Sequence, residues 1–454
     1  MWHKSYSMTN SKLHPVGDDY LSLEKTAKRL GDCPPWQTYG KVANLVGNMI
    51  AVEGLKATLG DICEIQPSLN LKPIYAEVVG FDQRRLKLSP LTLLSGIHPG
   101  CLVRAHHLAD TVAVSPALLG RVLDGMGQPI DDKGPIDCEV RYPLAGQTSN
   151  PLERPIIETQ LDVGIRSINS LLPIGKGQRI GIFAGSGVGK STLLGMMARY
   201  TTAPVNVIAL IGERGREVRE FIENELGPDG MEHSVVVVAT SDQPATIRIR
   251  GAFMACAIAE YFRDLGMDVL LMMDSVTRFA MAAREIGLAV GEPPTTKGYT
   301  PSVFSQMPRL LERAGSFEKA SITGIFTVLV EGDDMEDPIA DTVRSILDGH
   351  IVLSRQLAQN RHYPAIDVLR SVSRLTDRLL DDEHKICASK FIQTLANYKS
   401  SEDMIRIGAY VRGSHPETDY AIEMIVKLND YLRQAVEAGC SIEEAASGLF
   451  ELMS

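Results

Sequence analysis

The sequence predicts an α/β protein in three parts: a small all-β unit, a larger unit built on a mainly parallel sheet, and a helical unit at the end. Three observations carry this. Between Tyr39 and about Arg104, short β-rich pieces such as "GKVANLVGNMIAVEG", "DICEIQ", "IYAEVVGF" and "RRLKLSPL" follow one another with turn residues between them, the texture of a small barrel or sandwich. After about residue 150, apolar runs such as "RIGIFAG", "PVNVIALIGER", "HSVVVVATS" and "MDVLLMMD" alternate with helical stretches. Such runs are continuous rather than alternating, so these strands are covered on both faces, as in a parallel sheet between helices. From about Thr376 onward, "RLLDDEHKICASKFIQTLANY" and "TDYAIEMIVKLNDYLRQAVEAG" keep a helical period with little β signal.

Ahead of the β unit, "DDYLSLEKTAKRLG" (residues 18–31) has acidic residues first, basic ones last and a glycine stop, the order that a helix dipole favours. Its apolar positions Leu21, Leu23, Ala27 and Leu30 make a loose stripe. It reads equally as an arm packed on its own body and as a docking helix for a partner or a membrane surface.

Composition narrows the function classes. The 454 residues are enough for roughly two to four domains. With 46 basic and 56 acidic residues the formal charge is −10, which repels a nucleic-acid backbone unless cations gather on one face. The seven cysteines lie far apart, with no CxxC pair, and read as buried thiols of a reduced compartment. The first residues hold no apolar signal core and no run reaches the ~18 apolar residues of a membrane span. A cytoplasmic location is the expectation.

The chemistry lies in "RIGIFAGSGVGKSTLLGMMARY", a strand, a glycine-rich turn and a helix, the setting of a phosphate-binding P-loop. Gly185, Gly187 and Gly189, with Ser186, Val188 and Thr192 around them, let backbone N–H groups close on phosphate oxygens. Lys190 supplies a point charge to the β and γ phosphates, and Ser191 offers a hydroxyl to Mg²⁺. Ala184 stands where the strict pattern has glycine, a tolerable change because the remaining glycines occupy the tightest part. A second metal anchor is Asp274, presented at the end of the apolar strand "MDVLLMMD" as in a Walker B element; alone it reads as well as a helix cap. Hydrolysis also needs a group that orients water. Glu213 ends the strand in "NVIALIGERGREVREF", at the sheet edge where α/β folds bind ligands, with Arg214 beside it.

Together with "MMDSVTRFAMAAREIGLAVGEPP", "GYTPSVFSQMPRLLERAG" and "PAIDVLRSVSR", these motifs resemble the family of the rotary ATP synthase α and β subunits and the protein-secretion ATPases, in unbroken order from about residue 30. The resemblance implies an N-terminal arm (1–30), a β-barrel (31–104), a RecA-like P-loop ATPase domain (105–375) and a helical C-terminal domain (376–454), in a homohexamer with sites at subunit interfaces. It assigns Glu213 to the water, Arg374 to the arginine that a neighbour inserts toward the γ-phosphate, and Tyr363 to adenine stacking, with Arg214 and Arg278 as phosphate or carboxylate partners. In the synthase the glutamate and the arginine belong to different polypeptides, whereas this chain owns both.

"GERGREVREFI" resembles the secretion ATPases more than the synthase β subunit, and within that branch "IRIGAYVRGSHPETDYAI" resembles the flagellum-specific export ATPases, with Thr300 and His415 departing from the pattern. The implied cofactors are ATP and Mg²⁺. The implied partners are a stator-like regulator on the arm, a coiled-coil stalk protein in a pore bordered by "TTKGYTPSVFSQ", export chaperones and cargo at the C-terminal helices, and a membrane export gate met peripherally at the inner membrane. The alternatives are an injectisome ATPase and, from another class, a hexameric RNA translocase; the charge and the lack of a stacking aromatic cluster in residues 39–104 stand against the latter.

Overall fold

The computed structural model describes residues 38–67, 71–106, 111–138, 140–146, 150–330 and 334–454. The expected arm at 1–30 lies outside the described residues.

The β-rich pieces form six antiparallel strands: β1 (Tyr39–Val46), β2 (Met49–Glu53), β3 (Ile62–Gln66), β4 (Ile74–Asp82), β5 (Arg85–Pro90) and β6 (Leu102–His106). They close in the order β1-β2-β5-β4-β3-β6, with β6 returning to β1. The sequence texture allowed barrel or sandwich, and the closed barrel is what forms. Period-2 alternation turns Ile50, Val52, Val78, Leu88 and Val103 into its core, and register shifts at Val42/Asn44 and Val78/Gly80 supply the curvature.

Two short strands, β7 (Thr111–Val114) and β9 (Val140–Pro143), pair as a hairpin-like ribbon, and between them in sequence lies β8 (Arg121–Asp124). The main sheet adds β10 (Arg179–Ala184), β11 (Val205–Ile211), β12 (Ser234–Ala239), β13 (Val269–Asp274), β14 (Gly315–Ser316), β15 (Ser321–Leu329), β16 (Gly349–Leu353) and β17 (Val372–Ser373). Its order is β17-β16-β10-β15-β13-β11-β12-β8, parallel except for β17, with β14 an antiparallel addition to β15. The parallel sheet thus begins at β8, earlier than the change of texture near residue 150, because a four-residue edge strand carries too little pattern to be read.

Both sheet faces are covered, as the apolar runs require. In β11, Val207, Ala209 and Ile211 pack into one core with the helices Ala245–Asp264 and Val276–Val290, while Ile208 and Leu210 pack into another with the helix Lys190–Tyr200. The C-terminal helices Asp382–Arg406, Pro416–Leu432 and Ile442–Met453 extend that second core through Phe391, Leu428 and Leu449. Polar clasps fix them to the sheet domain: Gln434 Nε2 donates to the Gly164 carbonyl at 2.7 Å, and Asn169 Nδ2 to the Cys440 carbonyl at 2.8 Å. Cys63, Cys101, Cys256 and Cys440 are buried free thiols. No helix among the described residues is long and apolar enough to cross a membrane.

Candidate active site

Parallel strands deliver their carboxyl ends to one edge, and the predicted residues gather there. β10 ends at Ala184 and turns into the loop Gly185–Gly189, where Gly187 (φ 75°) and Gly189 (φ 89°) adopt the left-handed backbone that a side chain resists. Ala184 is a strand residue, paired with Leu329 and Leu353 and 1% exposed, so its methyl group belongs to the core and the departure from the strict motif costs the loop nothing. Val188 is buried as well, while Ser186 is exposed. The helix Lys190–Tyr200 starts directly after Gly189, and Ser191 stands exposed in its first turn.

One strand over from β12, β11 ends at Ile211. Gly212 N–H then donates to the Ala239 carbonyl at 2.6 Å, and Ser241 N–H donates to the Glu213 carbonyl at 3.0 Å, so the backbone carrying Glu213 continues the ladder. Asp274 closes β13 opposite Leu210 of β11 and is 3% exposed. Its Oδ1 accepts a hydrogen bond from Thr327 Oγ1 at 2.7 Å.

The Lys190 ammonium joins these ends. Nζ pairs with Asp274 Oδ1 and lies 3.5 Å from Glu213 Oε1, and all three side chains are at most 13% exposed. Burial works against the ammonium, but the Asp274 and Glu213 carboxylates outweigh it and raise the Lys190 pKa. Glu213 is pushed up to about 7: burial is the main cause, Lys190 opposes it, and Asp274 adds to it. A carboxyl poised there is matched to proton transfer near neutral pH. Ser191 and Asp274 supply a hydroxyl and a carboxylate, the oxygen donors that Mg²⁺ takes, and a cation already sits favourably against Asp274. The donor set therefore fits the metal.

The cleft above these groups measures about 640 Å³ and is walled by the phosphate loop, Glu213, Arg214, Arg278, Leu329 and Arg355. Arg214 is exposed, 3.5 Å from Glu217 Oε1. Arg278 has a buried Nε with no hydrogen-bond partner among the described residues. Tyr363, 42% exposed, lies against the loop: a Cβ on Gly189 would stand 3.4 Å from its ring. Thr192 turns its hydroxyl away to Glu225 Oε1 at 3.0 Å. Arg355 went unnoticed in the sequence; the signal was the run "HIVLSR", since a strand that pairs beside β10 must end beside the same loop.

Of the predicted residues, Val188, Asp274, Tyr363 and Arg374 do not line the cleft; the first three adjoin the loop or Lys190, and Arg374 does not. It follows β17, which pairs with the beginning of β16, and its N–H donates to the Asp348 carbonyl at 3.1 Å. The phosphate loop adjoins the other end of β16, where Leu353 pairs with Ala184. At about 3.3 Å per residue the strand separates the two by roughly 13 Å before the loop begins. The exposed Arg374 guanidinium meets only the Arg344 carbonyl, at 3.4 Å, among the described residues.

Comparison with known proteins identifies the family. Residues 164–373 match the ATP synthase alpha/beta family nucleotide-binding domain, and residues 380–451 match the T3SS EscN ATPase C-terminal domain. The chain is 52% identical to the flagellum-specific ATP synthase of Bacillus subtilis, over 92% of this chain and 95% of that protein. It is 49% identical to the type 3 secretion system ATPase of Xanthomonas euvesicatoria, over 91% and 94%. Among solved structures it is similar to the assembled ATPase EscN of the enteropathogenic E. coli type III secretion system, with a TM-score of 0.87 and 45% identity over 91% of this chain and all of that one. A second EscN structure, in complex with its central stalk EscO, gives 0.85. The chain is thus an ATPase belonging to the ATP synthase alpha/beta family, within the group of flagellum-specific ATP synthases and type 3 secretion system ATPases.

Proposed function

We propose that this chain hydrolyses ATP with Mg²⁺ as a homohexamer whose sites are completed across subunit interfaces, and that turnover drives protein export through a flagellar type III apparatus. The observation that carries the composite site is the separation of Arg374 from its own phosphate loop, at opposite ends of β16. Within one subunit Lys190 holds the γ-phosphate and the loop amides hold the β-phosphate. Ser191 and Asp274 would hold the metal, which would supply charge neutralisation to the phosphate. Glu213 orients the attacking water and takes its proton, and Tyr363 stacks on the base. Arg374 of the next copy meets the charge that develops as the γ-phosphate leaves. Such an arginine is worth about 10³ to 10⁵ in rate in well-studied GTPases.

Mixing tests this directly. Lys190→Ala and Arg374→Ala proteins are each expected to be nearly inactive, and a mixture is expected to recover part of the turnover, because interfaces between unlike subunits include sites with both groups intact. No recovery in mixed rings, or a rate per subunit that stays constant across the concentration range of assembly, overturns the shared site.

The flagellar reading is supported by the flagellum-specific relatives, and the EscN complex with EscO supports a stalk partner in the ring. The N-terminal arm would meet a regulator, the C-terminal helices chaperones and cargo, and the assembly the export gate at the cytoplasmic face of the inner membrane. Deleting residues 1–30 should weaken regulator or lipid binding and spare basal turnover. A second reading, an injectisome ATPase, is supported by the Xanthomonas relative and by EscN. Loss of swimming against loss of effector secretion in a deletion strain separates the two.

A further inference from the structure

The helical stretch after Glu213 is not uniform. It runs as an α-helix over Gly215–Glu220, widens into a π-type turn over Phe221–Leu226 and resumes over Gly227–Glu232. A π turn inserts an extra residue, re-aims the side chains around it and recurs at functional sites. Here it sets Glu225 on the helix Lys190–Tyr200. Glu225 Oε1 accepts the Thr192 hydroxyl hydrogen at 3.0 Å. A Cβ on Gly195, next along that helix, would stand 2.7 Å from both the Cβ and the carbonyl oxygen of Glu225, so the absence of a side chain at 195 is what lets the two segments close.

The linked segments are the two whose relative position matters. One begins with Lys190 and Ser191; the other is the continuation of the chain that carries Glu213. Lys190 Nζ and Glu213 Oε1 face each other at 3.5 Å across the cleft, and the Thr192–Glu225 bond ties the same two segments together from the side. Thr192 lines the cleft and donates its hydroxyl hydrogen to the wall behind it.

We propose that Glu225 is a positioning residue for hydrolysis: through Thr192 it fixes the separation and orientation of the loop lysine and Glu213. The proposal rests on the reading of Glu213 as the group that orients water. It predicts a defect in turnover, not in nucleotide binding.

The test compares full-length variants under conditions of saturated assembly. Thr192→Val keeps the shape and removes the donor, Glu225→Ala removes the acceptor, and Glu225→Gln keeps a carbonyl oxygen. Thr192→Val and Glu225→Ala are each expected to lower kcat about tenfold, the scale of one hydrogen bond expressed as a rate. KM for ATP should stay within about twofold. The double variant should be no worse than either single one, and Glu225→Gln should recover most of the loss. The acid limb of the kcat/KM profile should also move in both single variants, because the surroundings of Glu213 have changed.

A lower melting temperature with kcat and the acid limb unchanged would reduce the bond to a structural clasp and overturn the proposal. So would a raised KM at constant kcat, or losses that multiply in the double variant. Failure of the underlying reading looks different: Glu213→Gln would retain full activity.

Discussion

On the proposed mechanism the two ends of β16 bear on the same reaction, and they are built in opposite ways. At its carboxyl end, beside the phosphate loop, the central charges are buried and paired: Lys190 is neutralised by Asp274 and Glu213, and Asp274 is further held by Thr327. At its amino end Arg374 stands in solvent with a single carbonyl for company among the described residues. The first end is complete within one chain and pays desolvation for it; the second has a cation without a counter-charge of its own. A group kept exposed and extended in the free subunit is ready to be desolvated by another molecule, where its interaction with a phosphate gains the strength that water would otherwise screen. If Arg374 completes a neighbour's site as proposed, self-sufficiency at one end and insufficiency at the other make assembly a condition of rate.

Substitution at the two ends should therefore give equal losses for different reasons. Lys190→Ala and Arg374→Ala are each expected to lower turnover by about 10³-fold or more. Only Lys190→Ala should also weaken binding of a fluorescent ADP to the dilute, unassembled protein, because Lys190 acts inside its own subunit. Equal nucleotide affinity in the two variants would break the comparison.

The buried end should carry the pH dependence. Glu213 titrates near 7 instead of near 4.5, chiefly because burial disfavours its charged form. Its carboxylate is the form that accepts a proton, so kcat/KM should fall about tenfold per pH unit below that value, and Glu213→Gln should abolish both the activity and the limb. Stability runs the other way. The folded state holds the proton more tightly than the unfolded chain, so ionisation of Glu213 destabilises the fold above pH 7, and this cost fades as the pH falls toward 4.5. Melts of the nucleotide-free protein should show the wild type gaining on Glu213→Gln across that window. A limb that survives Glu213→Gln belongs to another group.

The same division marks what was legible in the sequence. Strand runs announced their own ends, so Lys190, Glu213 and Asp274 could be expected at one edge from pattern alone, and the structure gathers them there. Ala184 departs from the strict phosphate-loop motif, and only the structure explains why that is harmless: the residue still belongs to β10. Edges were harder. β8 is four residues long and was invisible, and the pairing of β17 with the start of β16, which sets Arg374 apart from the cleft, is a long-range fact that no local window contains. Arg355 was missed for a related reason, since its role depends on which strand lies beside β10. The Thr192–Glu225 bond spans 33 residues and depends on a helix irregularity with no sequence pattern of its own.

Arg355 offers the smallest and most discriminating test. It lines the cleft, is exposed, and makes no ion pair among the described residues, whereas Lys190 is spoken for by two carboxylates. A triphosphate entering the cleft brings more negative charge than the loop lysine can answer, and an exposed cation at the rim answers part of it in bound substrate and transition state alike. Uniform binding of that kind appears in KM and leaves kcat nearly untouched. Arg355→Ala should thus raise KM for ATP about fivefold, on the scale of an exposed charge pair, with the effect shrinking as salt is added. A fall in kcat at constant KM would instead move Arg355 to the composite half of the site, beside Arg374, and the division between a self-contained edge and a shared one would have to be redrawn.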